Sequence, residues 1–346
     1  MAARAFITGL ADLTISANER AFFREAQPWG LIIFKRNVST PQQVNELTHS
    51  FKDIVGREAP VLVDQEGGRV QRLGPPHWPV YPPGSRYGEL YDRDVTSGLA
   101  AGRLGGRLLA ADLRVLGIDV DCLPIADVPA AGGDPVIGDR AYGTEPGKVA
   151  AIAAAIAEGL QAGGVLPVVK HLPGHGRATA DSHASLPVVD TDRATLETTD
   201  FAAFRPLAGL PLGMTAHVVF TAIDPVAPAT TSVTMVREVI RGFIGFQGLL
   251  MSDDVSMGAL SGTIAERSRA ALHAGCDVVL HCNGDLTEMT QVAAEAPELA
   301  GEAARRADAA LAARSAPEDF DVEDARRIFA QMIAGKPPAS QRMTSS

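Results

Sequence analysis

Val165-Leu-Pro-Val-Val-Lys-His171 is a short apolar run that ends in two titratable side chains. A continuous apolar run of this length, rich in valine, is typical of a strand buried on both faces of a sheet. Leu172-Pro-Gly-His-Gly176 follows, and its proline and glycines predict a loop directly after the strand. A lysine and histidines at the end of a buried strand contribute little to the packing of the core. We therefore expect them to contact a polar ligand.

Similar apolar runs recur along the whole chain. The strand candidates are 5–10, 30–34, 60–64, 118–123, 165–170, 212–217, 248–253 and 276–282. Segments with helical periodicity, such as 41–55, 150–162 and 263–274, separate several of them. Apolar strands that alternate with helices indicate a parallel sheet covered on both faces. Eight units favour a closed barrel over an open doubly wound sheet, whose early G-x-G-x-x-G fingerprint is missing. We predict the α/β class: a single (β/α)₈ TIM-type barrel domain with C-terminal helices over 1–335, then a polar, disordered tail over 336–346.

The composition indicates a soluble, cytoplasmic enzyme. The 346 residues carry a formal net charge of −10, which does not suit an extended nucleic-acid interface. No run approaches the roughly 18 apolar residues of a membrane span, and the N-terminal segment lacks the pattern of a signal peptide. The three cysteines show no CxxC spacing, which argues against a disulfide framework or a structural zinc site, and Cys276 and Cys282 are expected to be buried thiols. We predict a monomer that binds neither nucleic acid nor a membrane.

Polar or charged residues end nearly every predicted strand. In an α/β barrel the C-terminal strand ends meet at one rim, where active sites lie. Helix capping explains a single such residue, for example Asp254 or Asn283. Capping does not explain Arg36, Lys170, His171 and His217 together, so we predict a binding site at this rim. The strand ends concerned are Lys35-Arg-Asn37, Asp64-Gln-Glu66, Pro124-Ile-Ala-Asp127, Lys170-His171, His217, Ser252-Asp-Asp254 and Cys282-Asn283.

Several of these segments resemble one enzyme family. Gly248-Leu-Leu-Met-Ser-Asp-Asp-Val-Ser-Met257 resembles the nucleophile segment of glycoside hydrolase family 3, and Val63-Asp-Gln-Glu-Gly-Gly-Arg-Val-Gln-Arg72 resembles its sugar-binding segment. Lys170-His-Leu-Pro-Gly-His-Gly176 with Asp181-Ser-His183 is similar to the β-N-acetylglucosaminidase branch of that family. Ile137-Gly-Asp-Arg-Ala-Tyr-Gly143 and Thr215-Ala-His217 also fit, and all the motifs occur in the family's order. Short members of the branch are single-domain barrels.

The resemblance implies two catalytic groups, Asp253 and the pair Asp181–His183. Hydrolysis with retention needs a carboxylate at the anomeric carbon and a proton donor for the leaving oxygen. Asp253 matches the nucleophile, because it directly follows the serine of the motif. Spacing alone does not exclude Asp254, for which a helix cap or hydrogen-bonding support is expected. The branch takes its proton from a histidine that an aspartate two residues earlier orients, which implies His183 and Asp181. In an extended loop these two side chains lie on the same side, so the carboxylate can stabilise the imidazolium.

The other matched positions imply contacts with a sugar. Asp64 resembles an aspartate that accepts hydrogen bonds from sugar hydroxyls. His217 has two open interpretations, as a residue that lines the pocket or as a buried structural residue. Arg69 is expected in an ion pair, and His175 as a hydrogen-bonding residue of the loop. Segment 74–83, rich in proline and aromatic residues, either forms a wall of the cleft or packs outside it. The predicted substrate-binding residues are Asp64, Arg72, Arg140, Lys170, His171 and His217.

Together these features predict an exo-acting, retaining β-N-acetylglucosaminidase that needs no cofactor or metal. By resemblance, its substrate is a small carbohydrate or muropeptide, namely GlcNAc-1,6-anhydro-MurNAc peptides in peptidoglycan recycling. Three alternatives stay open: a metal-dependent hydrolase that uses the histidine cluster, a β-glucosidase of the same family, and a non-catalytic sugar-binding barrel. Lys170 beside His171 disfavours a bound cation. Phosphate as the acceptor in place of water also stays open, as does closure of the His183 loop over substrate.

Overall fold

The computed structural model describes residues 2–335, and its centre is a closed barrel of eight parallel strands. The strands are β1 (Arg4–Thr8), β2 (Pro28–Ile33), β3 (Val61–Val63), β4 (Val120–Asp121), β5 (Leu166–Leu172), β6 (Leu212–Thr215), β7 (Leu249–Asp254) and β8 (Val278–His281). Each strand pairs in parallel with the next one along the chain, and β8 closes the barrel on β1. The predicted TIM-type barrel is therefore confirmed. The predicted tail, 336–346, lies outside the described residues.

Helices follow the strands and cover the barrel. Within the described chain the α-helices are α1 (Ala17–Ala26), α2 (Pro41–Val55), α3 (Gly84–Arg93), α4 (Val95–Arg114), α5 (Pro146–Ala162), α6 (Arg193–Thr198), α7 (Ile264–Ala274), α8 (Leu286–Glu295), α9 (Gly301–Ala312) and α10 (Val322–Ile333). A π-helix, Met235–Phe243, stands in the place of the helix after β6. The predicted helix 41–55 has the observed bounds because Thr40 caps its first turn and Gly56 ends it in a left-handed conformation.

Strands β3, β5 and β7 alternate their side chains between two apolar clusters. Leu62, Val168 and Met251 belong to one cluster, whereas the neighbouring residues Val63 and Val169 belong to the other. Successive side chains of a strand lie on opposite faces, so each of these strands contributes both to the barrel interior and to the layer under the helices. Both faces are buried, which is why the strands read as continuous apolar runs in the sequence.

The shortest strand, β4, differs most from its predicted range of 118–123. It keeps ladder pairing only at Val120 and Asp121. Leu123 N donates to the carbonyl of Asp121 in a turn, and Pro124 has no N–H with which to continue the ladder. The chain bends there but stays bonded to β5, since Lys170 N donates to the carbonyl of Pro124 and Ala126 N donates to the carbonyl of Lys170. Residues 124–127 thus reach the rim beside that strand.

Two small sheets shape the loops above the barrel. Gln65–Gly67 pairs antiparallel with Val70–Gln71 directly after β3. Val188–Val189 pairs in parallel with Val219–Phe220, which ties the end of the loop after β5 to the segment after β6. As for membranes, a helix of the length and apolar character needed to cross one does not occur among residues 2–335.

Candidate active site

A cleft of about 520 Å³ lies at the C-terminal ends of the strands. This is the rim at which barrel enzymes carry out their chemistry. Eight of the nine predicted site residues line it, and His217 does not. The eight are Asp64, Arg72, Arg140, Lys170, His171, Asp181, His183 and Asp253.

The sugar-binding candidates from β3 and β5 form a cluster of opposite charges. Lys170 Nζ lies 2.8 Å from Asp64 Oδ1 and 2.7 Å from Glu66 Oε1, and Arg72 donates to Asp64 Oδ2 over 2.9 Å. Burial would raise the pKa of the Asp64 carboxyl, but Lys170 and Arg72 hold that pKa well below its usual range. Burial would lower the pKa of Lys170, but the two carboxylates raise it above its ordinary value. Asp64 and Lys170 therefore stay charged at neutral pH and present strong hydrogen-bonding groups to sugar hydroxyls.

Glu66 is a site residue to which the sequence assigned no role. Its carboxylate accepts two hydrogen bonds from Arg140, Nε to Oε2 and Nη2 to Oε1, each of 2.8 Å. The side chains of Glu66 and Arg140 are 4% and 10% exposed, so this pair is almost completely buried. The ion pair fixes the guanidinium of Arg140 at the edge of the cleft. The available signal was the position of Glu66 two residues after Asp64, at the rim.

Asp127 is a second residue without an assigned role. Its Oδ2 accepts from His171 Nδ1 over 2.7 Å, and its Oδ1 accepts from the backbone N–H of His175 over 2.7 Å. Burial would raise the pKa of Asp127, but the adjacent His171 holds it below its usual value. Because Nδ1 donates to the carboxylate, Nε2 is the ring atom of His171 that is left for a ligand.

Asp253, the second-last residue of β7, presents a half-buried carboxylate to the cleft. Its Oδ1 accepts from the N–H of Asp254 over 2.8 Å, and its own N–H donates to Thr215 Oγ1 over 3.3 Å. Burial would raise the pKa of Asp253, but the nearby imidazoles of His217 and His171 hold it below its usual value. The carboxylate is therefore ionised at neutral pH, as a nucleophile must be.

Asp254 uses its carboxylate to hold neighbouring backbone. Oδ1 accepts from the N–H groups of Ser256 at 2.9 Å and Cys282 at 3.1 Å, and Oδ2 accepts from Ser256 Oγ at 2.7 Å. No helix begins here, since α7 starts at Ile264. Of the two supporting roles expected for Asp254, the structure shows hydrogen-bonding support.

His217 lies beneath the site and not in the cleft wall. Its side chain is fully buried, with Nδ1 2.7 Å from Thr230 Oγ1, and Nε2 donates to the carbonyl of Asp254 over 3.0 Å. Both ring nitrogens are therefore occupied by protein atoms. The prediction that His217 binds substrate is corrected: of its two open interpretations, the structure shows the buried structural one. Its imidazole supports the backbone next to Asp253.

Asp181 and His183 lie together in the loop after β5. Asp181 Oδ1 accepts from both the N–H and the Nδ1 of His183, over 2.9 and 2.7 Å. The predicted extended conformation is wrong, because residues 181–185 form a turn in which the carbonyl of Asp181 accepts from Ala184 and Ser185. An aspartate side chain that bonds to the backbone two residues on closes such a turn. The side chains of Asp181 and His183 still lie side by side, which is what the dyad requires.

Three further expectations concern the edge of the cleft. Arg69 forms the expected ion pair, with Nε 3.0 Å from Asp139 Oδ1. Cys276 is buried as expected, but Cys282 is half-buried and lines the cleft. Segment 74–83 contributes nothing to the cleft lining; part of it lines a separate pocket of about 310 Å³ that shares Arg72 with the cleft. Its aromatic residues Trp78 and Tyr81 are both buried, so the segment packs outside the cleft.

The histidine cluster does not form a metal centre in the described part of the chain. Among residues 2–335, no three or more His, Cys, Asp and Glu side chains are grouped so that they could hold a metal ion. His171 and His183 each direct Nδ1 to a separate aspartate instead. The open alternative of a metal-dependent hydrolase thus finds no ligand set here.

Known proteins are similar to this chain in sequence and in fold. The chain matches the glycosyl hydrolase family 3 N terminal domain over residues 7–312. It is 41% identical over 281 residues to a β-hexosaminidase from Alkalilimnicola ehrlichii, a match that covers 80% of this chain and 79% of the relative. The crystal structure of native NagZ from Neisseria gonorrhoeae superposes with a TM-score of 0.82 at 30% identity, over 96% of this chain and 97% of that one. NagZ from the same organism in complex with N-trifluoroacetyl-D-glucosamine gives a TM-score of 0.82 at 30% identity, over 97% of each chain. The chain therefore belongs to glycoside hydrolase family 3.

Proposed function

We propose that this protein is an exo-acting β-N-acetylglucosaminidase that hydrolyses with retention of configuration. One observation carries the proposal: a single cleft contains an ionised carboxylate on a strand, an Asp–His pair on a loop, and a charged cluster suited to hydroxyl groups. The β-hexosaminidase relative and the complex of NagZ with an N-acylated glucosamine support the choice of sugar.

In the proposed first step, Asp253 attacks the anomeric carbon of the terminal sugar. The glycosidic C–O bond breaks, and its electron pair passes to the leaving oxygen, which takes the proton from Nε2 of the His183 imidazolium. Asp181 accepts from Nδ1 and stabilises the positive charge before transfer. The product of this step is a covalent glycosyl-Asp253 ester and a free aglycone.

In the proposed second step, water takes the place of the aglycone. His183 Nε2 accepts a proton from the water as its oxygen bonds to the anomeric carbon, and the ester bond to Asp253 breaks with return of the electron pair to the carboxylate. Two inversions give a β-configured product. The cluster of Asp64, Lys170 and Arg140 would hold the hydroxyl groups of the ring during both steps.

The finer parts of the proposal rest on the family resemblance. They comprise GlcNAc-1,6-anhydro-MurNAc peptides as substrate, a role in peptidoglycan recycling, and action as a cytoplasmic monomer. Comparison of kcat/KM for such a muropeptide and for a simple β-GlcNAc glycoside tests the substrate. A preference for the simple glycoside would contradict it. Gel filtration tests the monomeric state, and cell fractionation tests the cytoplasmic location.

The decisive experiment measures turnover of a chromogenic β-GlcNAc glycoside. We expect Asp253→Ala and His183→Ala to lose most activity, whereas Asp308→Ala, an exposed aspartate of α9, should not. Azide should restore turnover to Asp253→Ala and give an α-glycosyl azide, because the small anion can occupy the space of the missing carboxylate. Near-normal turnover by Asp253→Ala would refute the nucleophile assignment.

The same assay separates the open alternatives. Loss of activity with a chelator would favour a metal-dependent hydrolase, and equal cleavage of a β-glucoside would favour a β-glucosidase. Sugar binding without turnover would indicate a non-catalytic barrel. A sugar phosphate among the products in phosphate buffer would show that phosphate replaces water.

A further inference from the structure

Ser182 separates the two members of the proposed acid/base pair, and its side chain faces the opposite way. Ser182 is 3% exposed, whereas the side chains of Asp181 and His183 are 43% and 67% exposed. Its Oγ lies 3.0 Å from Nε2 of His175, in a buried contact. The loop is therefore bonded to the protein interior through Ser182, the residue between the two groups proposed to act on substrate.

The position of His175 is fixed by its own contacts. Its backbone N–H donates to Asp127 Oδ1 over 2.7 Å, and its ring packs edge-on to His171 with centroids 5.8 Å apart. Burial and the neighbouring His171 lower the pKa of His175 to about 4, so the ring of His175 is neutral at neutral pH. Nδ1 of the ring has no hydrogen-bond partner within residues 2–335, so Ser182 is the side chain that binds this imidazole.

The same loop is also docked on the segment that follows the candidate nucleophile. The carbonyls of Ser182 and His183 accept from the N–H groups of Ala259 and Gly258, over 3.1 and 3.2 Å. These amides lie just after β7, the strand that carries Asp253. The turn is thus held by two backbone bonds on one side and by the His175–Ser182 bond on the other. Together they set the position of the turn relative to the Asp253 carboxylate.

We propose that the His175–Ser182 hydrogen bond is a latch that positions the Asp181–His183 pair over the cleft for proton transfer. Ser182 and His175 are then positioning residues, and His183 alone exchanges the proton. A chain of contacts, His171 to Asp127 to His175 to Ser182, also connects the sugar-binding side of the cleft with the acid/base side. The inference rests on the proposed acid/base role of His183.

The test exploits the fact that a good leaving group needs no proton. We would measure kcat/KM, which reports the first step, for 2,4-dinitrophenyl β-GlcNAc and for a simple alkyl β-GlcNAc. We expect Ser182→Ala to lose about 5- to 10-fold on the alkyl glycoside, the factor set by one hydrogen bond, and less than about 2-fold on the dinitrophenyl glycoside. Ser185→Ala, the same substitution at an exposed position of the same turn, should change neither value.

His183→Ala distinguishes failure of the latch from failure of the proposed function. It should show the same leaving-group pattern with a larger loss. If it does so and Ser182→Ala does not, the latch is wrong and the acid assignment stands; if His183→Ala lacks the pattern, the acid assignment itself is wrong.

A double-mutant cycle keeps the inference falsifiable if Ser182→Ala loses stability. The double variant Ser182→Ala/His175→Phe should be no slower on the alkyl glycoside than His175→Phe alone. The reason is that each substitution removes the same His175–Ser182 hydrogen bond. The latch would be overturned if the loss of kcat/KM in the double variant were the product of the two single losses. Equal losses on the two substrates would overturn it as well.

Discussion

Glu66→Gln is the perturbation that best tests how the charged cluster is held. Glu66 bonds twice to Arg140 and lies 2.7 Å from Lys170, with all three side chains at most 10% exposed. Removing one partner of a buried ion pair costs about 3 to 5 kcal/mol, because the remaining charge is left uncompensated. The amide oxygen still accepts one bond and Lys170 keeps Asp64, so we expect the lower end of that range. The free energy of unfolding should fall by about 3 kcal/mol.

Urea denaturation at neutral pH measures this loss, with Glu158→Gln as the matched control. Glu158 forms one bond of 3.1 Å to Arg103, and these side chains are 59% and 55% exposed. An exposed pair contributes little, so the control should lose no more than about 1 kcal/mol. Glu66→Gln should also raise KM, because Arg140 and Lys170 line the cleft. Equal stability losses in the two variants would refute the reasoning, since they would mean that the cluster is as well solvated as a surface pair.

Further predictions concern the carboxylates and the loop. Asp127→Asn should lower kcat/KM about 10- to 100-fold, because it replaces a charge-assisted bond to His171, and steady-state kinetics on β-GlcNAc glycosides checks this. Gly176→Ala should destabilise the protein by about 1 to 3 kcal/mol, since a Cβ there would lie 2.3 Å from backbone, whereas Gly147→Ala meets nothing within 4 Å and should change thermal stability little. The pKa of Asp64 is lower in the folded state than in the unfolded chain, so the unfolded chain binds more protons on acidification. The stabilisation of the folded state by the Asp64 carboxylate is therefore present above about pH 4 and is lost as the pH falls below that value. Asp64→Asn should therefore lose less stability than the wild type on acidification, as urea denaturation at several pH values will show.

Much of the candidate site could be predicted because it is built from strand ends. Each buried strand is encoded locally by its apolar run, and the residue after it must reach the rim of a parallel barrel. Asp253, Lys170 and Asp64 could thus be placed together without coordinates, and the resemblance to the family implied the Asp181–His183 pair. The conformation of that pair could not be predicted, because a turn and an extended loop both bring the side chains together.

The sequence by itself determined the barrel and eight of the residues that line the cleft, because these follow from local apolar periodicity and from short motifs that resemble the family. Only the tertiary structure decided which groups pair. Glu66 acquires its role from Arg140, 74 residues away, and Asp127 from His171, 44 residues away. His217 is withdrawn from the cleft by Thr230 and by the carbonyl of Asp254. Burial and hydrogen-bond geometry arise from neighbours that are distant in the chain, so a local pattern can place a side chain at the rim but cannot determine which partner holds it there.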